Sequence, residues 1–290
     1  MTSHWSFPRR RGPRAALRLT LAIVLVGTFC LDPLVAGAAD VDAAKLRALV
    51  DGRQRAAKNA ARDPYRHPFE VLSFFGLGDD ATVVEIDPGG AGYWTEILAP
   101  YLKEHGRYVA ANGPKDSPSE EVQRGNAAFA AKIGGDPANY SKVELSEFDP
   151  GRKDPSAPGE ADFVLTFRNI HNWMADGVAD AAFKAFYRAL KPGGVLGVEE
   201  HRGRADEPQD PKAKSGYVRQ DYAVALAEAA GFRLVGASEI NANPKDTKDY
   251  PAGVWTLPPT FRLKDQDHDK YAAIGESDRF VLKFVKPTSP

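Results

Sequence analysis

Beyond residue 80 the sequence predicts an α/β domain, with a doubly wound, mainly parallel sheet of seven strands and helices on both faces. Three observations carry that reading. From Thr82 onward, short apolar, β-prone runs alternate with longer stretches whose apolar residues recur at helical spacing. Glycine and proline clusters punctuate them, most clearly at Asp87–Gly92 and Pro192–Gly194. Cys30 is the single cysteine, so beyond it neither disulfides nor thiolate metal sites can help, and stability must come from a large apolar core.

Residues 1–38 read as a signal peptide. Arg9, Arg10, Arg11, Arg14 and Arg18 form a basic start, Leu19 to Leu31 is apolar without a charge, and Ala36-Gly37-Ala38 supplies a small-x-small cleavage site. The apolar run is shorter than the roughly 20 residues that span a bilayer. Cys30 follows Phe29 rather than a small residue, so it is expected to leave with the leader. The mature chain is thus expected to be periplasmic or secreted, without a stable membrane anchor. The formal charge is −1 for the whole chain and about −5 without the leader, which offers no electrostatic footprint for nucleic acid. Nothing in the pattern specifies an oligomeric state.

Residues 39–80 are expected to form an N-terminal helical extension. Ala43 to Ala61 carries Leu46, Leu49 and Val50 on one side, and Pro68 opens "HPFEVLSFFGL", a second and buried helix. The domain then occupies residues 81–290. Thr82–Ile86 is a strand and Thr95–Leu102 lies in a helix. Arg107–Ala111 is a strand, and Ser119 caps a helix to Ile133. Lys142–Leu145 and Asp162–Phe167 are strands, and Val178–Leu190 is a helix. "KPGGVLGVEEH" contains a turn and then a strand into Glu199. Asp221–Ala230 is a helix, and Phe232–Ile240 and Arg279–Lys286 are the last strands.

In such a sheet, ligands lie outside the carboxyl ends of the strands, near the reversal of strand order. Asp87–Gly92, "RNIHNW" and "EEHR" all fall on that edge. Gly89, Gly90 and Gly92 let a backbone approach a ligand closely, and the helix after them aims its N-terminal amides at it. No Lys-Ser/Thr pair follows the glycines and the spacing fails G-x-G-x-x-G, which argues against a phosphate-cradling loop.

"VVEIDPGGAGYWT", "KPGG" before the fifth strand and "AAGFRLV" before the sixth resemble the class I S-adenosylmethionine-dependent methyltransferases. With "HPFEVLSFFGL", "FRNIHNW", "NPKDTKDYPAGVWTLPP" and "GESDRF", the ordered set resembles a group of exported, poorly characterised bacterial methyltransferase-like proteins. The resemblance implies the Rossmann-like methyltransferase fold and S-adenosylmethionine as cofactor. It puts Glu85 near the methionine end and the three glycines against the cofactor. Asp87 stands where many members have glycine, and Ala91 interrupts the cluster. Asn112 stands near the place of an acid that binds the ribose hydroxyls. Arg168 and Asn169 resemble the "RN" of quinone-biosynthesis methyltransferases, and both are taken as cofactor contacts.

His171 is the candidate general base, since its unperturbed pKa lies near neutrality; capping the helix that follows is the alternative. Glu200 and His201 are the next catalytic candidates. With Glu199 they could hold a divalent cation, but no further cluster completes a site, so no metal is expected. The connection Asn241–Ser277 joins the sixth and seventh strands on the ligand edge and is expected to form a lid. Tyr250 and Trp255 on it, with Trp173, Tyr217 and Arg219, are the candidate substrate contacts. Two functions remain open: methyl transfer to oxygen, carbon or nitrogen of a small molecule, or non-catalytic ligand binding on the same fold.

Overall fold

The computed structural model describes residues 1–2 and 42–288; the expected leader, its cleavage site and Cys30 lie outside the described residues. Four short helices precede the sheet: α1 (Ala43–Val50), α2 (Ala57–Ala60), α3 (Asp63–Arg66) and α4 (Pro68–Phe75). The single helix expected over Ala43–Ala61 is therefore broken. The buried Arg55 turns back to donate to the Val50 carbonyl and pairs with Asp63, a tertiary contact that overrides the local helical pattern. Pro68 starts α4 at its first turn, and Gly76 ends it at φ 77° with its amide on the Leu72 and Ser73 carbonyls.

The chain then alternates through β1 (Thr82–Ile86), α5 (Thr95–Leu102), β2 (Arg107–Asn112), α6 (Glu120–Gly135), α7 (Pro137–Tyr140), β3 (Glu144–Glu147) and β4 (Ala161–Phe167). It continues through α8 (Ile170–Asp176), α9 (Ala179–Ala189), β5 (Leu190–His201), α10 (Gln220–Ala229), β6 (Arg233–Ser238), α11 (His268–Ile274) and β7 (Arg279–Val285). The seven strands are ordered β3-β2-β1-β4-β5-β7-β6. β1 to β5 pair in parallel, and β7 runs antiparallel to both of its neighbours. The order reverses between β1 and β4, so a crevice opens where those two strands end.

Helices cover both faces. On one, Phe183 and Phe186 of α9 bury against Val164 and Leu196, with Leu226 of α10 in the same cluster. On the other, Leu46, Leu72, Phe75 and Ile97 from α1, α4 and α5 bury against Val83, Leu165 and Val281. Each such side chain contributes roughly 1.5–3 kcal/mol, and these two layers hold the edge loops in place. Ser119 caps α6, accepting from the Val122 amide at 3.4 Å.

Some boundaries move for tertiary reasons. β3 begins two residues later than expected, at Glu144, because register with Val109 to Asn112 sets it rather than the Lys142–Leu145 pattern. The "KPGG" turn is a bulge inside β5: Leu190 pairs with Ala161 and Val195 with Phe163, while Gly193 at φ 82° donates to the Lys286 carbonyl at 2.8 Å. β6 stops at Ser238 with its pairing to β7. "NIHNW" is itself mostly helical, as α8, so His171 lies in that helix's first turn and caps no later one. Among the described residues, no helix is long and apolar enough to cross a membrane.

Candidate active site

The loops after β1 and β4 are held in unusual backbone. Asp87 has φ 47° and Arg168 has φ 63°, left-handed values that cost a non-glycine residue about 1–3 kcal/mol and that cluster at functional sites. Hydrogen bonds over-determine both. Asp87 N–H donates to the Ala111 carbonyl at 2.9 Å, and Arg168 N–H donates to the Glu199 carbonyl at 2.7 Å. Asn169 Nδ2 donates to the Ile86 carbonyl at 3.0 Å and to Thr166 Oγ1 at 3.2 Å, tying the end of β4 to that of β1.

The three glycines of the turn do different work. Gly89, at φ 68°, has open space where a Cβ would project. A Cβ on Gly90 would lie 2.8 Å from that of Ala128, and one on Gly92 would lie 3.0 Å from the Lys132 side chain. Gly90 and Gly92 therefore make room for α6, and Gly89 is the position that faces free space. Glu85 is buried, and its Oε2 accepts from Tyr108 Oη at 2.5 Å and Thr95 Oγ1 at 3.4 Å. Its Oε1 makes no hydrogen bond to a described residue. Burial pushes this carboxyl up to about 7 against the pull of Tyr108, Thr95 and Arg168. Burial raises the Asp87 carboxyl to about 7 as well, with the Gly113 backbone opposing it. Asn112 is half-buried, and its one side-chain hydrogen bond runs from Nδ2 to the Ala110 carbonyl at 3.4 Å.

Where β4 and β5 end, His171, Glu200 and His201 meet. Glu200 Oε1 accepts from His201 N–H at 2.8 Å and lies 3.0 Å from His171 Nδ1, while Oε2 accepts from His171 N–H at 3.3 Å. With the Glu200 oxygen as acceptor, Nδ1 of His171 is the donating nitrogen and Nε2 lies outside this bond. The His201 ring is 5.4 Å from that of His171, and its Nδ1 lies 2.5 Å from Ser277 Oγ. The ligand atoms of these three residues lie within 4.8 Å of one another, a juxtaposition the spacing did not predict. Both Glu200 oxygens are already engaged, however. Burial, followed by His171, Arg168, Arg279 and Arg66, holds the His201 imidazole well below its ordinary value. The same arginines would oppose a divalent cation, so the cluster reads as two hydrogen-bonded imidazoles.

The Asn241–Ser277 connection reaches this cluster. The Trp255 ring stands edge-on to His171 at 5.9 Å, with the Arg262 guanidinium 4.6 Å from its centre. An open cavity of about 380 Å³ is lined by His171, Asn172, Lys212, Lys214 and Trp255 among others. Tyr217 stands 6.4 Å from the His201 ring and donates to Asp246 at 2.9 Å. Three other expected contacts point elsewhere. Trp173 packs on Phe148 and Phe186 in the core, because α8 turns it inward. Arg219 pairs with Asp221 and donates to the Glu207 carbonyl. Tyr250 packs edge-on to Tyr271 and accepts from the Thr247 amide. Sequence reading missed Arg66, Asp246, Glu276 and Arg279, all buried at this edge. The signal available was a charge opening the apolar run of β7, and arginines four apart in "ARDPYRHP".

No protein-family model matches the chain, and no curated protein matches it. Its fold is the Rossmann-like fold of S-adenosylmethionine-dependent methyltransferases. One such enzyme from Aquifex aeolicus superposes with TM-score 0.51 and 17% identity, covering 85% of this chain and all of that one. A putative sarcosine dimethylglycine methyltransferase from Galdieria sulphuraria gives 0.52 and 12%, covering 82% and 90%. The 4+2 cyclase SpnF gives 0.54 and 17%, covering 82% and 86%. At these identities the likeness is one of fold. S-adenosylmethionine needs space against a loop backbone and acceptors for its hydroxyls and amine. Gly89 offers the first, and Glu85 Oε1 and Asn112 Oδ1 offer the second, so the residues at this edge fit the group.

Proposed function

We propose that the protein is an enzyme that transfers a methyl group from S-adenosylmethionine to a small-molecule acceptor. The observation that carries the reading is the His171–Glu200 pair, standing where β4 and β5 end, with His171 lining a cavity that Trp255 also lines. Glu85, Gly89 and Asn112 would hold the cofactor, with Asn169 tying their loop to β4. When bound, it supplies an electrophilic methyl group on a sulfonium. The chain's own part is to orient the acceptor and move one proton. His171 accepts that proton at Nε2, and Glu200, bonded at Nδ1, stabilises the imidazolium that forms. Trp255 and the lid keep water from the acceptor.

Calorimetric titration of the chain from residue 39 with S-adenosylmethionine and S-adenosylhomocysteine tests the first half. Both should bind, and failure of both would leave a ligand-binding protein on the methyltransferase fold. For the second half, acceptors are screened by release of S-adenosylhomocysteine. His171→Ala should lower turnover by roughly 10²–10⁴-fold while cofactor affinity stays level. Full turnover in that variant would remove His171 as the base.

A further inference from the structure

One group of buried charges takes no part in the proton transfer. The guanidinium groups of Arg62, Arg66, Arg168 and Arg279 gather around two carboxylates, Glu199 and Glu276. Other acids nearby are committed. Asp63 serves Arg55 and the Tyr93 hydroxyl, Glu200 serves His171, and Glu85 faces Tyr108 and Thr95. Arg66 is 0% exposed. Its Nε reaches Glu276 at 3.3 Å and its guanidinium lies over the Tyr93 ring, 4.4 Å from the centre, but Nη1 and Nη2 have no hydrogen-bond partner among the described residues. Arg168 Nε is likewise buried without a hydrogen bond, its ion-pair partner Glu199 standing 3.8 Å away.

Leaving buried charged donors without hydrogen bonds is costly, since each has given up water without a replacement. Burial, followed by Arg168, holds the Arg66 guanidinium well below the ordinary arginine value, and burial with Arg279 lowers that of Arg168. Positive charge is thus in excess, and an anion with several acceptor oxygens would satisfy it. Tyr65 and His67, the chain neighbours of Arg66, and its partner Glu276 line a cavity of about 190 Å³ that Asn241 and Ser277 also border, and Arg66 itself lies behind that wall. The centre also abuts the base: Ser277 holds His201, whose ring is 5.4 Å from His171. Glu199 belongs to β5, Arg279 opens β7 and Glu276 lies three residues before it, on the His171 side of the crevice rather than over β1 and β2.

We propose that Arg66 and Arg168 form a buried site for an anionic oxygen group, carboxylate or phosphate, carried by the methyl acceptor. This rests on the methyl-transfer reading for the word acceptor alone; the anion site stands on the unpaired guanidinium groups. The test is calorimetric titration with benzoate, phenyl phosphate and the neutral benzamide at equal ionic strength. At least one of the two anions should bind measurably tighter than benzamide, and the tighter one names the group. Arg66→Met should weaken that anion about tenfold or more, the loss expected for a charge-assisted pair. Thermal melting of the unliganded variant checks that it folds. Arg168→Gln, at a partly exposed position, gives the same readout should Arg66→Met not fold. Affinity for S-adenosylhomocysteine should be unchanged in Arg66→Met. Anions that bind no better than benzamide, or variants that keep full anion affinity, would overturn the proposal. Equal loss of S-adenosylhomocysteine would also overturn it, by giving the charge to the cofactor's own carboxylate. Anion binding with no S-adenosylhomocysteine binding at all would sink methyl transfer and leave the site standing.

Discussion

Glu85 is 1% exposed, and the Tyr108 hydroxyl donates to it at 2.5 Å. Burial lifts its carboxyl from an ordinary 4.5 to about 7, against the hydrogen bonds that favour the charged form. The linkage sign follows from the raised folded value. The folded state keeps its proton after the unfolded chain has lost it, so the stabilisation is complete below about 4.5 and is lost as pH rises through about 7. Glu85→Gln stays neutral throughout and keeps an acceptor for Tyr108. Its denaturant midpoint should therefore gain on the parent between pH 5 and 8, by about 1–3 kcal/mol once converted to free energy. An unchanged gap would mean that Glu85 does not titrate across folding. Such behaviour suits a residue placed for a ligand rather than for stability. The acid at the end of β1 was visible in the sequence, but its partners were not: Tyr108 comes from β2 and Thr95 from α5, and only parallel register brings them to Glu85.

At the scale of elements, the Asn241–Ser277 connection is tied down as much as it overhangs. Asp246 is 3% exposed and accepts from Tyr217 Oη at 2.9 Å, Lys248 N–H at 3.0 Å and Asp278 N–H at 2.8 Å. One carboxylate thus joins the lid's own turn to β7 and to the segment before α10. Asp246→Ala would leave the buried Asp278 amide and Tyr217 hydroxyl without an acceptor, at about 1–3 kcal/mol apiece, and the part-buried Lys248 amide as well. We expect faster amide exchange across residues 241–277 in this variant while β1, β4 and β5 stay protected, since local opening spares the sheet. Equal acceleration in the sheet would mean that the lid is part of the core rather than an attached element. A lid was legible from the length and aromatic content of this segment. Its anchor was not, because nothing local distinguishes Asp246 from Asp249, which lies exposed three residues on.

For the molecule as a whole, we propose that the leader is removed after export and that the site works outside the cytoplasm. Mass spectrometry of protein recovered from the cell envelope should find a mature chain beginning at about residue 39; an intact mass that includes Met1 would return the protein to the cytoplasm. The cofactor is made in the cytoplasm, so methyl transfer outside it requires either a loaded enzyme in transit or an external supply. Arg9-Arg10 is a poor match to the twin-arginine signal that would carry a folded, loaded chain. By itself the sequence determined the class of fold, the order of its elements, the glycine turn and the edge on which ligand residues gather. These follow from periodicity, turn chemistry and strand direction, which are properties of neighbouring residues. The tertiary structure alone decided which of the polar residues meet. Arg279 comes to Glu199 because β7 inserts beside β5, and Arg66 comes to Glu276, 210 positions away, because the N-terminal helices fold over that edge. His171 acquires its tautomer from a carboxylate 29 residues further along the chain. Charges so far apart leave no periodic trace in a sequence, since their pairing is set by sheet order and burial rather than by spacing.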